Sequence, residues 1–141
     1  MRGLLRRKSP LWLGLDVLSV LAFVVIGRAA HSKGEALAGI ASTAWPFLAG
    51  LGGGWLAARA WRRPTALYRA GLPALIGAAG LGMVLRVLAG QGTALAFIFV
   101  TLGFLGLLML GWRFCYGLFR AVRAVRTITA IKDVVWGALA D

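Results

Sequence analysis

Four apolar runs divide this chain: Leu11–Gly27, Ala36–Ala58, Gly71–Leu88 and Thr93–Leu110. Even the first, with seventeen residues, reaches about 26 Å as a helix, close to the ~30 Å hydrocarbon thickness of a bilayer. A soluble domain of 141 residues would need a charged surface to cover runs of this kind. Hydrophobic residues make up 60% of the chain and charged residues only 14%, with a mean hydropathy of +0.84. Lipid is therefore the expected solvent for most of the surface. The expected fold class is an all-α membrane protein with four transmembrane helices arranged as two similar hairpins.

The net charge of +12 comes from 16 Lys and Arg against 4 Asp and Glu. Such a balance fits nucleic acid when the charges share one face. Here they sit between the apolar runs, which points to membrane flanks and away from nucleic acid. The N-terminal tail carries 4 basic residues, the first turn 2, the middle loop 4, the second turn 1 and the C-terminal tail 5. Rich and poor segments alternate, so the positive-inside rule places both termini and the middle loop in the cytoplasm. Asp16 inside the first run, and Arg28 where a small residue would be wanted for cleavage after Ala30, favour a retained span over a signal peptide. The single cysteine, Cys115, excludes an intrachain disulfide or thiol cluster.

The two expected hairpins resemble each other in sequence. Arg28 to Thr43 and Arg86 to Thr101 share Arg, Gly, Ala, Leu, Ala, Ile and Thr at seven of sixteen positions, each at the junction of two apolar runs. A pseudo-twofold axis along the membrane normal would relate such hairpins. Trp45-Pro46 predicts a kink in the second span. Gly50 and Gly54 form a G-x-x-x-G pair, and Ala78 and Gly82 a second small pair, both suited to close helix contact. Pro73 is expected near the start of the third span, and Thr93 as the N-cap of the fourth. The four-span region is read as residues 1–113. Beyond it, Phe114, Cys115, Leu118, Phe119, Val122 and Val125 share one helical arc. Arg113, Arg120 and Arg123 lie opposite, with Arg126 at the boundary. Residues 114–141 are thus expected to form a basic amphipathic tail on anionic headgroups, ending from Thr127 in a short helix or frayed segment.

The order of these features resembles a small bacterial membrane-protein family catalogued as domain of unknown function 3054. The resemblance rests on Asp16, Ile26-Gly-Arg28-x-x-His31, Ala44-Trp-Pro46-Phe47-Leu-Ala-Gly50, Arg62-Arg-Pro64 and Gly82-Met-x-x-Arg86-x-x-x-Gly90-x-Gly92-Thr93. It covers Asp16 to Arg113. It implies a four-span protein of the bacterial inner membrane and brings no activity with it.

Depth limits which polar groups can meet. Asp16 lies about 7 Å into its span and Arg86 about 22 Å from the same side, at 1.5 Å per residue. Asp16 is therefore expected to pair with Arg59, Arg62 or Arg113 instead, as a structural ion pair or as a proton or cation site. The outer side gathers Arg28, His31, Glu35, Arg86, Gln91 and Thr93, a set suited to an anion or lipid phosphate or, more simply, to headgroup snorkelling. His31 has no companion ligands for a metal, and no nucleophile–base set or phosphate-binding glycine loop appears. The expected protein is not an enzyme and needs no cofactor. It is expected to act with membrane lipids in a homo-oligomer or beside a larger membrane partner. The alternative is a small transporter or channel for an ion or anionic solute.

Overall fold

The computed structural model describes residues 9–30 and 37–140. His31 and Glu35, with the rest of the first turn and the basic N-terminal tail, lie outside the described residues. All described secondary structure is helical: α1 (Ser9–Ala30), α2 (Leu37–Ala57), a 3₁₀ turn (Ala60–Arg62), α3 (Leu67–Leu88) and α4 (Leu95–Ala140). Three of these helices, α1, α3 and α4, are long and apolar enough to cross a membrane. Helix α2 has 21 residues, but Trp45, Pro46 and the Gly50–Gly54 stretch dilute its hydropathy.

Each helix buries one stripe at helical spacing. In α1 the buried residues are Asp16, Ser19, Val20, Phe23 and Val24. In α2 they are Ala44, Pro46, Phe47, Gly50, Leu51, Gly54 and Trp55. Helix α4 presents a narrower ridge, with Thr101, Leu105, Met109 and Arg113 buried at every fourth position. The four helical segments run alternately up and down. Asp16 near the start of α1 meets Trp55 at the end of α2, whereas Arg28 at the end of α1 meets Thr43 near the start of α2. Phe23 packs edge-on against Phe47, with ring centroids 5.4 Å apart, and touches Phe97 and Phe104 of α4.

The tightest packing lies between α2 and α3. A Cβ on Gly50 would collide with the carbonyl of Gly77 and the amide of Gly82, and one on Gly54 with the carbonyl of Pro73. Gly77 faces Gly50 and Gly54, and Gly82 lies against Phe47 and Pro46. Ala78 is fully buried beside them. Gly77 belongs to this seam although the small-residue spacing alone did not single it out. The reason is the π-helical stretch Ile76–Leu81, which shifts the register of side chains along α3.

Helix α3 begins at Leu67, four residues before the expected Gly71, so Pro73 sits within it. A second π turn, Leu67–Gly71, precedes the proline, and Gly71 N–H bonds the carbonyl of Ala66 at 3.1 Å. The wider turn absorbs the hydrogen bond that proline cannot donate. Pro46 lies inside an unbroken α2. Helix α4 starts at Leu95, two residues after Thr93, and continues without interruption to Ala140. Its 46 residues reach about 69 Å, roughly twice the hydrocarbon thickness. The segment after Thr127, expected as a short helix or frayed end, is part of this one rod.

The seam yields a paired test. Gly54→Ala should destabilise the protein by about 1–3 kcal/mol through overpacking, because its new methyl group would press on backbone. Gly52→Ala, with nothing within 4 Å of its Cβ, should leave stability unchanged or slightly raised. Thermal unfolding of the two variants in one detergent checks this, and equal melting temperatures would refute the close approach.

Candidate functional site

Polar side chains gather at both ends of the helices. At one end Asp16, fully buried, meets Arg113, which is 1% exposed. Arg113 Nη2 donates to Asp16 Oδ2 at 2.6 Å and Nη1 to Oδ1 at 2.7 Å, a bidentate pair. Trp55 Nε1 donates to Oδ2 at 2.8 Å and Trp112 Nε1 to Oδ1 at 3.0 Å. The carboxylate thus accepts four hydrogen bonds, two on each oxygen, about its full capacity. Arg113 spends two of its three remaining donors on backbone: Nη1 on the carbonyl of Met109 at 2.7 Å and Nε on that of Pro64 at 3.1 Å.

Local structure explains the convergence. Arg113 extends the buried ridge of α4 by one further turn, so its side chain points at the other helices and not at lipid. Gly71 leaves room for it, because a Cβ there would press on the Arg113 side chain. Stacked indoles close the site: Trp12 lies parallel to Trp112 with centroids 5.3 Å apart, and Tyr116 meets Trp12 edge-on. The guanidinium sits 4.3 Å from the centroid of the Trp112 ring.

Of the three expected partners, Asp16 takes Arg113. The same bond corrects the placement of Arg113 among the lipid-surface residues with Arg120, Arg123 and Arg126. Arg113 is sealed inside, and the other three are exposed on α4. Trp55 and Trp112 were missed as donors. Their indole N–H groups lie at the depth of a carboxylate that needs more than one partner, which is the signal that could have found them.

At the opposite end Arg28 Nη1 donates to Thr43 Oγ1 at 3.1 Å, and Thr43 passes a bond to the carbonyl of Gly39 at 2.9 Å. Arg86 Nε donates to the carbonyl of Gly92 and Nη1 to Gln91 Oε1, both at 3.0 Å. Gln91 Nε2 in turn donates to the carbonyl of Ser42 at 2.8 Å, tying the α3–α4 turn to α2. Gly90 and Gly92 hold positive φ of 70° and 69°, which lets the turn curl back over Arg86. Phe97 lies under Arg86, 4.7 Å from ring centroid to guanidinium carbon. Arg28, Thr43, Arg86 and Phe97 border one small cavity of about 90 Å³. Thr93 lines the neighbouring groove with Arg86 and Gln91. Trp45 is half-exposed to the outside of α2. Among the described residues no group of three His, Cys, Asp or Glu side chains is placed to hold a metal.

Apolar helices of membrane-spanning length, tied by a buried ion pair at one end and by half-buried polar groups at the other, define a helical protein of the membrane class. The chain belongs to the family described as protein of unknown function (DUF3054), which matches residues 13–116. No curated protein and no solved structure matches it.

The buried pair predicts strong non-additivity. Arg113→Leu alone should cost about 3–5 kcal/mol by stranding a buried carboxylate. Asp16→Leu alone should cost a similar amount by stranding the guanidinium. The double variant should lose far less than the sum of the two single losses, because apolar replacement of both partners leaves no unpaired charge. Denaturant unfolding in micelles followed by tryptophan fluorescence measures the cycle, and simple additivity would show that the pair is not coupled.

Proposed function

We propose that this chain is a small, non-catalytic membrane component, with four helices crossing the bilayer, that works by assembling with further copies of itself. Three helices have the length and hydropathy to span. Helix α2 is counted as the fourth because it packs against α1 and α3 along its length, so Gly50, Gly54 and Pro46 face protein. The charge alternation along the sequence supports cytoplasmic termini in a bacterial inner membrane.

The observation that carries the assembly is the far half of α4. Every residue from Gly117 to Leu139 is exposed. Phe114, Ala121, Ile128 and Val135 recur every seven residues, and so do Leu118, Val125, Lys132 and Leu139. This alternating three–four spacing is the seam of a left-handed coiled coil. Arg120, Arg123 and Arg126 stand off that seam, where two copies would leave them solvated. A lysine at one seam position lowers stability but restricts register and copy number. The segment adds about 40 Å beyond Arg113 at 1.5 Å per residue, long enough to carry a pairing surface clear of the bilayer.

Cysteine scanning in a Cys115→Ser background tests the seam in native membranes. Ala121→Cys and Ile128→Cys should give oxidised homodimers, and Arg123→Cys should not. Monomers at all three positions would overturn the pairing and favour a tail lying on lipid. Linkage of the seam cysteines to a second protein would favour a hetero-assembly.

A second reading, transport of a small anion, draws on the cavity shared by Arg28 and Arg86. The saturated Asp16 weighs against coupling such transport to a proton or cation, since that path needs a group with bonding capacity to spare. Liposome flux of small anions, abolished by Arg86→Gln, would favour transport. Absence of flux is the expected result.

A further inference from the structure

The loop between α2 and α3 holds a cleft that the assembly does not use. It has a volume of about 540 Å³ and is lined by Arg59, Arg62, Arg63 and Arg69, with Trp61 and two alanines. That volume falls within the range of small-molecule sites, roughly 300–1,000 Å³. None of the four guanidiniums makes a hydrogen bond, ion pair or ring contact among the described residues. The chain has few acids to offer them. Asp16 is consumed by Arg113, Asp133 lies far along the exposed tail, and Glu35 and Asp141 fall outside the described residues.

The loop is also held in shape. Arg62 N–H bonds the carbonyl of Arg59 at 2.9 Å, Arg63 that of Ala60 at 3.1 Å, and Ala66 that of Arg63 at 3.0 Å. Ala60 and Pro64 are buried, and the Pro64 carbonyl is fixed by Arg113. Arg59 has φ 48° and ψ 47°, the one positive φ on a non-glycine among the described residues. A side-chain-bearing residue disfavours this left-handed conformation, and here it sets Arg59 on the rim of the cleft.

We propose that this cleft binds a phosphate-bearing anion. Four guanidiniums, three on the rigid loop and Arg69 on the first turn of α3, can grip phosphate oxygens through paired N–H groups, which a lysine cannot do. The positive-inside rule asks only for charge in the loop and makes no demand for a cleft or for guanidinium geometry. That difference makes the two accounts separable, and the site stands whether or not the chain forms dimers. The phosphate comes either from an anionic lipid headgroup or from a soluble phosphate.

The test uses full-length protein in two arms. In one, nanodiscs of phosphatidylcholine mixed with phosphatidylglycerol are analysed by native mass spectrometry for retained lipid. In the other, pyrophosphate is titrated calorimetrically into protein in phosphatidylcholine nanodiscs. A variant with Arg62→Lys, Arg63→Lys and Arg69→Lys keeps the charge and the membrane orientation. Arg120→Lys with Arg123→Lys in the tail serves as control. Retained phosphatidylglycerol, weakened by at least about tenfold in the triple variant and unchanged in the control, assigns a lipid site. Pyrophosphate binding with the same pattern and no retained lipid assigns a soluble ligand. Binding in neither arm, or equal binding by wild type and triple variant, overturns the proposal.

Discussion

A carboxylate and a guanidinium, both removed from solvent, set the geometry on which the other contacts depend. A charge alone in a membrane helix costs several kcal/mol, so neither Asp16 nor Arg113 can be left without the other. Their pairing fixes α1 against α4, and the two indole donors draw in α2 and the neighbouring turn of α4. The bond from Arg113 to Pro64 then carries the constraint into the loop before α3. One buried pair therefore determines the register of three helices and a loop. A pair of this kind contributes little net stability compared with an apolar substitute, and its best-attested service is to exclude wrong arrangements. Its geometry also saturates the carboxylate: each oxygen of Asp16 accepts two hydrogen bonds.

Lipid supplies no hydrophobic drive for helices to meet, so packing and polar contacts must do it. The molecule divides these tasks by depth. Between its ends, glycines of α2 and α3 bring backbones into direct contact. At the end opposite the ion pair, Arg28 and Arg86 are held by hydroxyl, amide and backbone acceptors. For Arg86 these acceptors are neutral, so they satisfy its donors and leave its charge in place, which suits an arginine near a headgroup boundary.

The helices and their order were legible because apolar runs and basic boundaries follow directly from bilayer thickness. Depth arithmetic also placed Arg113 among the partners of Asp16 and removed Arg86. Other features were hidden for identifiable reasons. The arc drawn from Phe114 onward put Arg113 with the tail arginines, whereas the ridge Thr101, Leu105, Met109 and Arg113 assigns it to the interior. Both patterns share one helix, and only the packing of α1 against that ridge chooses between them. Gly77 and the early start of α3 depend on π turns around Pro73, and such turns break the fixed spacing on which a reading of helix faces rests. The indole donors were concealed because tryptophan at a span boundary is equally at home among headgroups.

Arginine is used in two opposed ways, and the contrast indicates where the protein has capacity left to act. Arg28, Arg86 and Arg113 lie within the helices and are engaged by the chain itself. Arg59, Arg62 and Arg63 lie in the loop and Arg69 in the first turn of α3, held by a rigid backbone, and among the described residues their side chains have no partners. Four guanidiniums lining one cleft repel one another, since like charges at short range oppose compaction, and a bound anion would offset that repulsion. In α4 the same logic applies to apolar surface: its exposed far half gains no packing from the described residues, and marginal helices require such packing to persist. The packed parts of the helices are thus internally satisfied, while the loop and the far half of α4 are each incomplete, one in charge and the other in burial. The anion and the second helix proposed for them are the complements those two deficits require.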